Sequence, residues 1–164
     1  MSWTIARPTV DDLDELGRVH VQVWREAYAG LMPADYLAGL DPTFGPKRWR
    51  ERFGSNPDLN WWIARDDDGI VGMVTAGPPR DDDAPAALEL YAINILQRAH
   101  GSGLADELLE RAIGDRPAYL WVLEGNARAI AYYLKHGFTD EGGRKPDPET
   151  GVREIRMARG NAGP

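Results

Sequence analysis

Apolar positions along the chain change their spacing several times, and each change marks an element. Between Thr9 and Gly30 they recur at Leu13, Leu16, Val19, Val23 and Ala27, the interval that stacks side chains on one face of a helix. Thr9, followed by Asp11 and Asp12, supplies the helix start: an oxygen-bearing cap with acidic residues in the first turn. Met32-Pro33 opens a second helical segment holding Tyr36 and Leu37, and beyond Asp41-Pro42 a further helix carries Trp49 and Phe53. Trp61 to Arg65 and Ile70 to Ala76 flank Asp66-Asp67-Asp68-Gly69, which predicts an antiparallel hairpin with a solvated acidic turn. Leu88 to Leu96 is an apolar strand joined directly to a helix that begins near Gly103. In that helix Leu104, Leu108, Leu109, Ala112 and Ile113 fall on one face, while Asp106, Glu107, Glu110 and Arg111 fall on the other.

Trp121 to Leu123 is a short strand, Asn126 a good N-cap, and Gly137 behind Lys135 and His136 a good helix stop. Thr139 to Arg144 predicts a strand ending in a flexible loop with Pro146, Pro148 and Gly151, and Val152 to Ala158 alternates apolar and charged positions. With Trp3 to Ala6 as the first strand, the order is β, α, α, β, β, β, α, β, α, β, β. The fold class is mixed α/β: a mostly antiparallel central sheet with helices on both faces. Residues 1–159 form a single domain, and 160–164 are a frayed tail.

Composition narrows the chemistry. The 164 residues are enough for one core and short for two. There is no cysteine, so neither disulfides nor thiolate chemistry enter, and histidines at 20, 100 and 136 lack metal-ligand spacing. No metal is expected. The apolar runs fall short of a membrane span and the first residues lack a signal-peptide core, so a cytoplasmic protein with no membrane partner is expected. A formal net charge of −7 argues against nucleic acid and suits an amine ligand.

His100-Gly101-Ser102-Gly103-Leu104-Ala105 lies where strand passes into helix. Glycines there either make a tight connection or let backbone approach an anion held by the first N–H groups of the helix. The segment is neither a dinucleotide fingerprint nor a Walker loop, lacking the third glycine of one and the Gly-Lys-Ser/Thr of the other. With its flanks, Glu89-Leu-Tyr-Ala-Ile-Asn-Ile-Leu and Asp106-Glu-Leu-Leu-Glu, it resembles the acyl-CoA-binding motif of the GCN5-related N-acetyltransferases (GNAT family). That pattern, Gln/Arg-x-x-Gly-x-Gly/Ala, falls on His100, Gly103 and Ala105. The family usually carries Gln or Arg where this chain has His100. A register starting at Arg98 would place glycines at 101 and 103, but the His100 register also aligns Leu104, Ala105 and the leucine pair. His100 is then a backbone contributor. A second stretch, Leu120-Trp-Val-Leu-Glu-Gly-Asn126 through Tyr133 to Gly137-Phe138, resembles the same family independently. The resemblance spans Ile5 to about Ala158.

This resemblance implies a sheet whose fourth and fifth strands splay like a V. It implies a pantetheine arm of acetyl-CoA along the backbone of Ile93, Asn94 and Ile95, a diphosphate at Gly101, Ser102, Gly103, Leu104 and Ala105, and a cofactor contact from Asn126. Tyr133 resembles the general acid, with Tyr132 facing another side, and Glu89 is the candidate base because members of the family often place a glutamate on this strand, within reach of the amine through water; alternation puts it on one face with Tyr91 and Ile93, where it can line the cleft. Trp121 stands where some protein-acetylating relatives carry a glutamate, and nearby Glu124 could orient Asn126. On the residues alone, packing of Tyr133 and solvation of Glu89 stay open. Trp24, Tyr28 and Tyr36, together with Trp49, are candidates to hold the acceptor by cation–π contact, with core packing the alternative for Trp24. The expected activity is transfer of an acetyl group to a small-molecule primary amine. A protein or peptide N-acetyltransferase and a non-catalytic acyl-CoA sensor are the alternatives, and a homodimer is allowed.

Overall fold

The computed structural model describes residues 2–40, 51, 58–147 and 150–160. The helix expected to carry Trp49 and Phe53, and residues 161–164 of the expected tail, lie outside them. The described elements follow in the expected order: β1 (Thr4–Ala6), α1 (Leu13–Ala27), α2 (Ala34–Ala38), β2 (Asn60–Asp66), β3 (Gly69–Gly77), β4 (Glu89–Ile95), α3 (Leu104–Ala112), β5 (Ala118–Leu123), α4 (Ala127–Lys135), β6 (Thr139–Pro146) and β7 (Arg153–Arg159). Two short 3₁₀ turns refine the reading. Val10–Asp12 precedes α1, with Thr9 N–H donating to Asp12 Oδ2 at 2.7 Å. Gln97–Ala99 separates β4 from the glycine loop, so strand and helix are not joined directly. Among the described residues no helix is long and apolar enough to cross a membrane.

The strands form one sheet in the order β1-β2-β3-β4-β5-β7-β6, antiparallel throughout except between β4 and β5. Central β3 is buried on both faces from Ile70 to Gly77, because α1 covers one face and α3 the other. Gly72 marks the α3 face: a Cβ there would meet Leu104 Cδ2 and Ile95 Cγ1, each at 3.3 Å. Leu104, Leu108 and Ala112 fill that face with no exposed surface, in one core with Val74, Leu90, Leu120 and Phe138. A smaller cluster of Met32, Leu37 and Leu123 forms where α1 and α2 reach the end of β5.

Three local readings are corrected. β4 carries a bulge: Ala76 faces Leu90 and Thr75 faces Ala92, which leaves Tyr91 as the extra residue. Beyond it the alternation inverts, so Ile93 and Ile95 turn to the α3 face while Asn94, opposite Met73, shares the α1 face with Glu89. Second, the turn aspartates are not all solvated: the Asp66 carboxylate is 8% exposed and receives two donors from Arg98. Third, β6 does not end in a loop at Arg144 but runs to Pro146, with a bulge between Asp140 and Arg144.

Candidate active site

The loop after the 3₁₀ turn presents bare backbone. Gly101 and Gly103 have φ of +75° and +92°, a region that favours glycine, and a side chain at either would enter open space. Gly103 is the N-cap of α3, where Leu104 N–H donates to Ser102 Oγ at 3.3 Å. The N–H groups of Ala105 and Asp106 precede the first helical repeat and have no partner within the helix. Those donors and the helix dipole make this corner favourable for an anion. His100 turns its ring back, with Nε2 3.1 Å from the Ile95 carbonyl oxygen, and so braces the loop against β4. Arg98 is committed to Asp66, which leaves His100 as the loop's own residue.

From this corner a cleft runs between β4 and β5. The two strands pair only at Glu89 and Tyr119, supported by Tyr119 N–H donating to the Leu88 carbonyl at 3.0 Å. Beyond that point β5 pairs with β7 alone, so among the described residues no strand lies beside the outer edge of β4, where Ile93 and Ile95 turn their backbone groups; those of Asn94, expected on the same edge, face β3 instead, because the bulge at Tyr91 shifts the pairing. This is the splay that the resemblance implies.

Two tyrosines approach each other, one from α4 and one from the end of α1. Tyr133 lies on α4, whose first turn is capped by Asn126 Oδ1 accepting from Ala129 N–H at 3.2 Å. Its ring packs edge-on to Phe138, and burial, with the Tyr28 phenol nearby, pushes its own phenol well above the ordinary value. Tyr28 ends α1 on the other face. Burial pushes its phenol up to about 12, with the Glu154 and Asp147 carboxylates adding to the shift. Glu154, on β7, is itself raised, first by burial and then by Asp147, against the pull of Lys145. Tyr133, Tyr28 and Glu154 therefore share one neighbourhood. Tyr132 instead donates to Asp106 Oδ1 at 3.0 Å and ties α4 to the first turn of α3.

Trp24, Tyr28 and Tyr36 come together, half-buried, around Met32, Leu37 and Leu123. Trp49 lies outside the described residues. Glu89 is neither solvated nor open to the cleft. It is 1% exposed, and its oxygens accept from the Arg80 guanidinium at 2.7 Å, the Arg80 N–H at 2.9 Å and the Tyr119 hydroxyl at 2.8 Å. The physical cause is the approach of the 78–88 loop, which the sequence pattern does not announce. Glu124 is exposed, 4.0 Å from Arg153, and does not touch Asn126 among the described contacts. Trp121 is held by its indole N–H, which donates to Asp81 Oδ2 at 2.8 Å.

Residues 22–138, from the middle of α1 to the end of the second sequence motif, match the family model described as Acetyltransferase (GNAT) family. The chain belongs to the GNAT acetyltransferase family. An uncharacterized N-acetyltransferase, YuaI of Bacillus subtilis, is 29% identical over 136 residues, covering 79% of this chain and 76% of that protein. Among solved structures, the PaiA N-acetyltransferase from Thermoplasma acidophilum in complex with coenzyme A is similar with a TM-score of 0.71 at 19% identity, over 98% of this chain and 99% of that one. A Corynebacterium glutamicum structure described as histone acetyltransferase HPA2 and related acetyltransferase gives 0.69 at 23% identity, over 100% and 99%. At these identities the two structures show the GNAT fold. The GNAT sequence motifs mark the glycine loop, Asn126 and Tyr133. They do not mark Glu154, Arg80 or the Asn94 side chain, although alternation from Val152 to Ala158 does put Glu154 and Arg156 on one face.

Proposed function

We propose that this chain transfers the acetyl group of acetyl-CoA to a primary amine of a small molecule. The observation that carries the reading is the cleft: an unpaired β4 edge leading from an anion-favouring loop to Tyr133 and Tyr28. Its chemistry fits a coenzyme A thioester, because an extended amide-bearing arm can pair with a free strand edge and a diphosphate with a helix N-terminus. In this reading Ile93 and Ile95 hold the arm by their backbone groups, while those of Asn94 pair with β3. His100, Gly101, Ser102, Gly103, Leu104 and Ala105 surround the diphosphate, and Asn126 contacts the cofactor with the amide left over from capping. The aromatic closure by Trp24, Tyr28 and Tyr36 supports a small acceptor over a peptide.

Acetyl-CoA supplies an acyl group activated as a thioester. Transfer forms a carbon–nitrogen bond and breaks the carbon–sulfur bond, while the ammonium nitrogen gives up two protons, one released to solvent through the base and one matched by the proton that the sulfur takes up. Tyr133 keeps its proton far into the alkaline range and is the proposed donor to sulfur. The proposed proton acceptor is Glu154 rather than Glu89. Arg80 and Tyr119 already occupy the Glu89 oxygens, whereas Glu154 lies beside Tyr28 with its proton affinity raised by burial. An amine panel with acetyl-CoA and free-thiol detection tests the reading. Thiol release that depends on a small primary amine is expected. Release with lysine peptides alone would overturn the small acceptor, and binding of acetyl-CoA without release for any amine would leave a sensor.

A further inference from the structure

Asn94 sits in a strand whose other positions from Leu90 to Leu96, Tyr91 aside, are all apolar. It is 7% exposed, and its Nδ2 is sealed from bulk water without a hydrogen-bond partner. Thr75, on the neighbouring strand and the same face, has no exposed surface and an unpartnered Oγ1. Buried amides and hydroxyls are nearly always paired in folded chains, because an unpaired one destabilises the fold. Thr75 is fully enclosed, whereas Asn94 keeps some exposed surface and can find its missing partner in a ligand.

The direction of Asn94 says which ligand. The bulge at Tyr91 turns it to the α1 face, away from Ile93 and Ile95. The backbone edge of β4 is thereby left to one ligand and the side chain to another on the face of α1. That face also carries Tyr28 and Glu154, the groups proposed to serve the amine. An amide both donates and accepts, so it pairs with a hydroxyl, carbonyl or amide and has nothing to offer a hydrocarbon chain.

We infer that the Asn94 side chain reads the acceptor: it hydrogen-bonds a hydroxyl, carbonyl or amide group near the reacting nitrogen and so selects polar amines over alkylamines. The inference rests on the transferase reading above. A site built to bond a polar group discriminates strongly against the analogue that lacks it, because its own amide then stays unpaired.

Asn94→Leu, nearly isosteric, tests this with ethanolamine and n-propylamine as acceptors. The ligand-free variant is expected to melt roughly 2–4 °C higher than the wild type, since the unpaired amide is gone. Acetyl-CoA affinity by calorimetry should hold within about twofold, while KM for ethanolamine rises at least about tenfold and the wild-type preference for ethanolamine collapses. A lower melting temperature, which a structural role would give, overturns the inference. So does weaker acetyl-CoA binding, an unchanged KM for ethanolamine, or a wild type that acetylates n-propylamine as well as ethanolamine. Those results leave the transferase reading standing. A wild type that acetylates no amine removes that reading and this inference together. If Asn94→Leu fails to fold, the same measurements on Asn94→Ala decide, with acceptor KM as the criterion.

Discussion

Tyr133 and Tyr28 illustrate what a single side chain contributes here, because both phenols are desolvated and both therefore hold their protons. Tyr133→Phe keeps the packing against Phe138 and should lower kcat by roughly a hundredfold, with acetyl-CoA affinity unchanged by calorimetry. Burial disfavours the phenolate, so in the wild type this group should cause no alkaline fall in kcat below about pH 10. Glu154 has the opposite use for the same cause. Its raised value means that it becomes a proton acceptor only as pH climbs through that value, so kcat/KM should rise across that window and Glu154→Gln should flatten the rise. Glu89→Gln should leave that pH limb in place and lower the melting temperature, because it disrupts contacts to Arg80 and Tyr119. The N-cap at Asn126 and the place of Tyr133 on the same helix are legible in the sequence because both depend on spacing within one helix. Glu89 and Asn94 are not, since one inserted residue at Tyr91 and one loop contact from Arg80 decide where they face and what they hold.

At the level of elements, the glycine loop with α3 is the part best read in advance. Its apolar stripe, its acidic first turn and its N-cap are all local, and the helix spans Leu104 to Ala112 as the stripe demands. The 3₁₀ turn at Gln97–Ala99 was not legible, because three residues hold too little periodicity to register. Gly103→Asp places a carboxylate where the helix end favours an anion of its own. Asparagine tolerates the left-handed backbone about as well as aspartate, so Gly103→Asn is the control for strain. Acetyl-CoA dissociation constants measured by calorimetry should differ by at least about tenfold between the two variants, aspartate being the weaker binder. Equal affinities would remove the diphosphate from this helix end.

Across the whole molecule, Arg156 fastens parts that are distant in sequence. It lies on β7, its side chain is 7% exposed, and it donates to Asp81 and Asp83 of the 78–88 loop and to Glu141 in the β6 bulge. Removing the cation leaves the partly buried Asp81 and Glu141 carboxylates without their guanidinium partner, still held by the Trp121 and Gly143 N–H groups. Arg156→Met should therefore destabilise the protein by about 3 kcal/mol, the low end for a broken buried pair because the carboxylates retain some water. Calorimetry should show this as a fall in melting temperature of roughly 6–12 °C. The order of strands along the chain was readable, but the insertion of β7 between β5 and β6 was not, since nothing local distinguishes an inner strand from its neighbour in a hairpin. Among the described residues, Glu89 with Tyr119 is the sheet's single parallel pair. It makes the sheet two half-sheets sewn by a single stitch, with β1 to β4 on one side and β5 to β7 on the other. A ligand arm laid along the seam would act as the missing strand, and amide hydrogen exchange at Ile93, Ile95 and Trp121, whose N–H groups face the seam, should slow together when it binds, faster-exchanging than β3 before and comparable to it after.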